Sequence, residues 1–156
     1  KANELGVPKE KAYLACALHD IAKKKTPKDV SDCPLPNDLP KAVWHQYLGA
    51  HLAKTQCGVT DQEVLNAISY HTSARPQMTA LEKLVFTADM IEETRNFRGV
   101  KRLQKMYEKN FEDCFFYSLR DTYFHVKRKK AELYPLTEQA YIYYKNLRKQ
   151  EKGAKK

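Results

Sequence analysis

Apolar residues recur at three- and four-residue intervals along almost the whole chain, the pattern of helices that bury one face. A first helix, opened by Pro8, follows from Ala12, Tyr13, Cys16, Leu18 and Ala22. Proline suits a first helical position because its missing N–H would have no partner there anyway. Residues 26–40 hold four prolines (Pro27, Pro34, Pro36 and Pro40), which blocks helix and marks a loop. A second helix is expected from about Lys41 to Cys57, stopped by Gly58. Thr60-Asp61-Gln62-Glu63 reads as a capping box opening a third helix toward His71. Thr79-Ala80-Leu81-Glu82 reads as a second, opening a fourth helix through Ile91. Gly99 precedes a short helix near 100–108. A long helix over about 110–133 follows, with Phe111, Phe115, Leu119 and Phe124 as core positions and Pro135 as its end. Thr137 is expected to cap a final helix that enters a lysine-rich tail. No period-2 alternation and no internal repeat stands out. The expected fold class is all-α: a helical bundle with one Pro-rich loop. The aromatic residues of the C-terminal half are read as core packing rather than as a base-stacking surface.

Polar residues inside these apolar runs carry the chemistry. His19-Asp20 interrupts the stretch Ala12–Ala22, and Asp89 lies within Leu84–Ile91 with no basic neighbour close in sequence. A buried carboxylate must be paired, protonated or bound to a metal. His71 ends the run Ala67-Ile68-Ser69-Tyr70, and His45 follows Val43-Trp44. Imidazoles and carboxylates on four separate helices suit a transition metal such as iron, manganese or zinc. Spacing alone does not choose between His45 and His51, and His125, beside a basic run, is expected to be exposed.

The charge modifies this picture less than its size suggests. There are 28 Lys and Arg against 19 Asp and Glu, a net +9 over 156 residues. Lys127–Lys130 contributes four positive charges, and Lys145–Lys156 contributes six basic residues against Glu151. The other 140 residues hold 18 basic and 18 acidic side chains. Both runs are read as a solvated helix face and a frayed terminus, so a nucleic-acid partner is not expected. Cys16, Cys33, Cys57 and Cys114 have no C-x-x-C spacing and read as reduced thiols of a cytoplasmic protein. No apolar run reaches membrane-spanning length, and no segment reads as a signal peptide.

The ordered set of these residues resembles the HD-domain metal-dependent phosphohydrolases, and within them the YqeK family. The matching segments are Leu18-His19-Asp20-Ile21-Ala22-Lys23, His45 with Gly49-Ala50, Tyr70-His71-Thr72, Leu81-Glu82-Lys83, and Ala88-Asp89-Met90-Ile91-Glu92 with Arg95. Pro135 and Thr137 match a later turn, so the resemblance covers about residues 5–147. It implies a single HD-type domain over 1–147 with a basic tail at 148–156. It implies symmetrical hydrolysis of diadenosine tetraphosphate to two ADP, with one or two divalent ions, iron first and manganese or cobalt as alternatives. By position, His19, Asp20 and Asp89 would be metal ligands. His45 and His71 would hold a second ion or contact the substrate phosphates, and Asp20, His45 and His71 would be catalytic. Substrate contacts would come from Asp20, Lys23, His45, His71, Thr72, Asp89, Arg95, Thr137 and Glu138, with the segment around Thr137 and Glu138 closing over the nucleotide. A homodimer is compatible with this reading, and no membrane partner is expected.

The chemistry is coherent on its own terms. A metal lowers the pKa of water it binds and supplies hydroxide, while Lys23 and Arg95 neutralise charge on the polyphosphate. Lys23, three residues after Asp20, would share its face of a helix. Lys23-Lys24-Lys25 also suits an ordinary helix C-terminus. Two departures from the family stand out. Residues 1–18 contain no His, where the family has a ligand His on a preceding helix and a basic residue one turn later. The chain therefore reads as a domain lacking its first helix. Tyr141 stands near where the family tends to have Arg, and Glu93 replaces the usual Pro before Thr94-Arg95. Other readings are a different HD nucleotide or cyclic-nucleotide phosphohydrolase, an inactive HD scaffold, or an RNA- or ribosome-associated protein using its basic tail.

Overall fold

A computed structural model describes residues 1–154; Lys155 and Lys156, the end of the expected basic tail, lie outside the described residues. Seven α-helices account for most of it: α1 (Lys9–Leu18), α2 (Trp44–Thr55), α3 (Gln62–Tyr70), α4 (Ala80–Ile91), α5 (Val100–Lys109), α6 (Phe111–Arg128) and α7 (Pro135–Gly153). Short 3-10 turns lie at Asn3–Leu5, Pro27–Asp29 and Lys41–Val43, and the described residues contain no strand. The all-α expectation holds.

Helix α4 is the hinge of the packing. It lies against α1 and α3 on one side and against α5 and α6 on the other. The first side is an aliphatic core in which Ala15, Val64, Ile68, Leu84 and Val85 are buried. The second is aromatic, with Phe86, Phe115, Leu119, Tyr123, Tyr141 and Tyr144 between α4, α6 and α7. Phe115 meets Phe86 and Tyr144 edge-on, with ring centroids 5.8 and 4.9 Å away, the preferred geometry for aromatic pairs. The Tyr144 hydroxyl, buried with its ring, accepts from the Met78 amide at 2.7 Å. The Pro-rich loop folds over a small core of its own, in which Val30, Leu48 and Leu52 are buried and Trp44 packs alongside, its indole N–H donating to Leu39 O.

Several local expectations are corrected. Helix α1 stops at Leu18, so His19 and Asp20 sit in the turns after it rather than within a helix. Asp61, not Thr60, caps α3: its carboxylate accepts from the Glu63 and Val64 amides, so no box forms there. Thr79 and Glu82 do form the expected reciprocal box on α4. Helix α6 ends at Arg128, and Pro135 begins α7 instead of ending its predecessor. Thr137 is consequently the third residue of α7, buried, and caps nothing. Phe124 is 43% exposed: its ring meets Tyr141 of α7 edge-on at 5.6 Å, and the rest of it faces solvent. As expected of a final helix entering the basic tail, α7 runs on through residues 148–153.

Candidate metal centre

The backbone alone prepares a place for a cation. His19 and His71 are the C-terminal caps of α1 and α3, and Asp89 lies in the last turn of α4. Three helix C-termini, each carrying partial negative charge, therefore converge on one spot. The N-terminal turn of α2 brings His45 to the same place. Gly49, one turn further along α2, lies beside the end of α1: a Cβ there would stand in ordinary contact, 3.4 Å, with the His19 carbonyl oxygen.

The side chains are tightly grouped. Ligating atoms of His19, Asp20 and His71 all lie within 4.8 Å of one another. His19 Nε2 is 3.4 Å from Asp20 Oδ2 and 3.6 Å from Asp89 Oδ1. His71 Nε2 is 3.6 Å, and His45 Nε2 3.8 Å, from Asp20 Oδ1. The two imidazoles His45 and His71 meet Nε2 to Nε2 at 3.1 Å.

Tautomers follow from the backbone. Nδ1 of His19 lies 2.7 Å from Cys16 O, and Nδ1 of His71 lies 2.7 Å from Ile68 O. A carbonyl only accepts, so each Nδ1 carries the proton and each Nε2 points a lone pair into the cluster. An Nε2–H on His45 then satisfies the close approach to His71.

Electrostatics separates the groups. Burial, aided by the neighbouring His71, pushes His45 down to about 4, so it is neutral near pH 7. Asp89 and, more weakly, Asp20 raise His19 above its ordinary value, against its own burial. Burial also works to raise Asp20, but His71 and Lys23 outweigh it and hold the carboxyl far below the usual range. Asp89 is lowered in the same way by His19 and Arg95, again against burial.

The donor set passes a simple fit test for a transition-metal ion. His19 Nε2 and Asp20 Oδ1 are buried and have no hydrogen-bond partner. A buried unpaired polar atom costs about 1–3 kcal/mol, and two of them facing one another across imidazoles and carboxylates are the arrangement that a divalent ion satisfies.

Cations and a hydroxyl line the rim. Lys23 pairs with the Asp20 carboxylate, although its turn is not helical. The Arg95 guanidinium binds the Asp89 carboxylate, and its Nε donates to Asp89 O at 2.9 Å. Thr72 Oγ1 lies 3.0 Å from His45 Nε2. Thus His19, Asp20, His45, His71, Asp89, Lys23, Thr72 and Arg95 come together. His71 joins His19 and Asp20 in the tight group, while Asp89 stands at its edge on Arg95. Thr137 and Glu138 do not join them: Thr137 is buried within α7, and Glu138 is held by the Tyr123 hydroxyl and by Lys127, each at 3.1 Å. The start of α7 nonetheless approaches α2 where the hydroxyls of Tyr134 and Tyr47 meet at 3.0 Å. His51 makes no contact with the cluster among the described residues, and His125 is exposed as expected.

Gln46 is a residue that sequence reasoning missed. It is fully buried, its Oε1 accepts from the Thr72 and Ser73 amides at 3.2 and 3.0 Å, and its Nε2 donates to Ser73 Oγ at 3.0 Å. The side chain thereby clamps the turn after His71 onto α2. Its signal was a polar residue in register with Val43, Gly49 and Ala53 on the buried face of α2.

Comparison with known proteins agrees with this geometry. The HD domain family model matches residues 1–94. The symmetrical bis(5'-nucleosyl)-tetraphosphatase of Bacillus subtilis (strain 168) is 33% identical over 143 residues, covering 87% of this chain and 77% of that protein. The protein of the same name from Staphylococcus aureus (strain NCTC 8325 / PS 47) is 35% identical, covering 86% of this chain and 74% of its own length. A solved structure from Clostridium acetobutylicum, described as a "predicted HD superfamily hydrolase involved in NAD metabolism", superposes with a TM-score of 0.83 at 32% identity, covering 93% of this chain and 81% of that one. On the family match over residues 1–94 and on relatives above 30% identity over most of their length, the chain belongs to the HD-domain family, in the group of the symmetrical bis(5'-nucleosyl)-tetraphosphatases.

Proposed function

We propose that the protein hydrolyses diadenosine tetraphosphate symmetrically, releasing two ADP, at a transition-metal centre held by His19, Asp20, His71 and Asp89. The observation that carries this reading is the pair of orphaned atoms, His19 Nε2 and Asp20 Oδ1, at the meeting point of three helix C-termini in a chain of this family. A mixed imidazole and carboxylate set suits a first-row transition ion, and the family resemblance puts iron first, with manganese or cobalt able to replace it. The ion, when bound, polarises a phosphoryl oxygen and lowers the pKa of water, supplying the nucleophile.

The protein's own groups do the rest. Asp20, ionised across the physiological range, accepts a hydrogen bond from the attacking water and fixes its direction. With the His71 lone pair used as a ligand, the Nε2–H of His45, neutral near pH 7, is free to turn to a phosphate oxygen. Thr72 Oγ1, 3.0 Å from that nitrogen, can turn its hydroxyl to the same phosphate. Lys23 and Arg95 leave their carboxylate partners in part to meet the polyphosphate, and neutralise charge that grows on the departing ADP. The turn at Tyr134–Glu138, joined to α2 through Tyr47, borders the nucleotide. The same reading carries a cytoplasmic enzyme able to form a homodimer. No described helix is long and apolar enough to cross a membrane.

The test is product analysis with iron, manganese or cobalt supplied. ADP as the sole nucleotide product supports symmetrical cleavage, whereas ATP with AMP, or no turnover with any of the three, rejects the substrate assignment. The description of the Clostridium neighbour favours a second reading, another nucleotide phosphohydrolase activity. A panel of nucleotides run beside diadenosine tetraphosphate separates the two by product.

A further inference from the structure

The charge divides sharply at the edge of the HD match. Residues 1–94 contain 11 Lys and Arg against 12 Asp and Glu, whereas residues 95–156 contain 17 against 7. The structure gathers part of this surplus into a groove of about 540 Å³ where α5 meets the start of α6, lined chiefly by Lys101, Arg102, Lys105, Met106, Lys109 and Asp113. We infer that this groove binds single-stranded nucleic acid.

Lys101, Lys105 and Lys109 are exposed and belong to no ion pair among the described residues. Their spacing of four places them in one row along α5, with a rise of about 6 Å from each to the next. Such a row can follow successive phosphates of an extended strand. Glu108 is the one acid on α5. The acids on the facing wall are already taken: Asp113 pairs with Arg148, and Asp121 with Arg102 and Arg120. The guanidinium carbons of Arg102, Arg120 and Arg148 lie 5.1, 4.6 and 5.8 Å from the centre of the half-buried Tyr117 ring. A row of free cations beside arginine-capped aromatics combines backbone attraction with planes on which bases stack. Arg148 also brings the basic end of α7, with the exposed Lys145, Lys149 and Lys152, to the same edge.

A membrane surface fits less well. Membrane-binding faces set large apolar groups beside their cations; the groove itself offers only the partly exposed Met106, and the exposed Ile142 and Leu147 lie outside it on α7. The groove uses residues 101–113 and none of the cluster groups, so the proposal goes beyond the hydrolase reading and does not rest on it.

Fluorescence anisotropy with short labelled oligouridylate and oligothymidylate tests it, with a duplex of equal length and phosphatidylserine-containing vesicles run alongside. Both single strands are expected to bind, their relative strength separating RNA from DNA preference, and the duplex to bind more weakly. The combined variant Lys101→Gln, Lys105→Gln, Lys109→Gln should bind at least about tenfold more weakly and lower the salt slope by about 2. It should keep its thermal midpoint and its metal content, while the triple Lys→Arg variant keeps binding. The proposal is overturned if the unaltered protein ignores both strands at low salt, if the glutamine variant binds as tightly, if vesicles bind and oligonucleotides do not, or if diadenosine tetraphosphate displaces the strand.

Discussion

Residues 1–94 and residues 95–154 solve opposite problems. In the first region, helices end on the site, the charge is balanced, and polar atoms of His19 and Asp20 are buried without partners. In the second, α6 and α7 pair through stacked and edge-on aromatics, and cations crowd the surface. The first region holds two unpaired ligand atoms in one cluster at a cost to stability, where the second leaves Ser118 Oγ alone in that state among the described residues. Through α4 and the aromatic core, the second supplies packing that offsets it. Function and folding strength should therefore respond to different substitutions.

The largest separation is expected between Asp20→Asn and Phe115→Ala. Asp20→Asn should lower kcat by about a thousandfold, measured as ADP release. Its thermal midpoint should fall much less than that of Phe115→Ala, because the Lys23–Asp20 pair is partly exposed and such pairs contribute little, which leaves the His71 contact as the main loss. Phe115→Ala removes a side chain that is 1% exposed and should cost about 3–5 kcal/mol in denaturant unfolding. Well below its melting temperature it should retain most of its turnover. Loss of turnover in folded Phe115→Ala would erase the division.

Next in size is the response to acid. His45, at about 4 in the folded protein against 6.5 ordinarily, binds its proton less readily folded than unfolded. Stability of the metal-free protein should thus fall by about 3 kcal/mol as pH drops from about 6.5 to 4. His19 works in the other direction and in another window. Its raised value contributes stability that is fully present below 6.5 and lost as pH rises through its folded value. Urea midpoints across pH should peak near 6.5, and His45→Gln should flatten the acid side. A profile unchanged by that substitution would show that the first region does not hold His45 neutral.

A smaller effect is expected at Gln46. Gln46→Leu leaves the Thr72 and Ser73 amides unpaired and should cost about 1–3 kcal/mol. By loosening the turn that carries His71, it should also weaken metal affinity about 10- to 100-fold. Stability lost with metal affinity intact would make Gln46 a core residue only.

These same residues show where sequence was informative. The capping box at Thr79 was legible because both partners lie within four residues, and it formed. At Thr60-Asp61 two adjacent residues could cap, and the carboxylate one place later took the amides. His19, Asp20, His45, His71 and Asp89 were legible as polar groups in apolar runs. That His45 rather than His51 joins them depends on how α2 packs on α3, which no local pattern encodes. The same holds for Phe124, whose periodicity fits α6 but whose cover depends on where α7 lies. Thr137 and Glu138 were placed by resemblance to a family, and the contacts of this chain tie Glu138 to Tyr123 and Lys127 instead. The basic residues were counted correctly, but the row on α5 meets the end of α7 only in three dimensions.

The central claim is that the converging helix ends hold a metal on which activity depends. Its most direct test is metal analysis of the purified protein and of His71→Ala after equilibration with iron(II) or manganese(II). The account predicts bound metal in the unaltered protein, and a loss in His71→Ala of both that metal and ADP release. Metal content that is absent from the unaltered protein, or unchanged by His71→Ala, would contradict it.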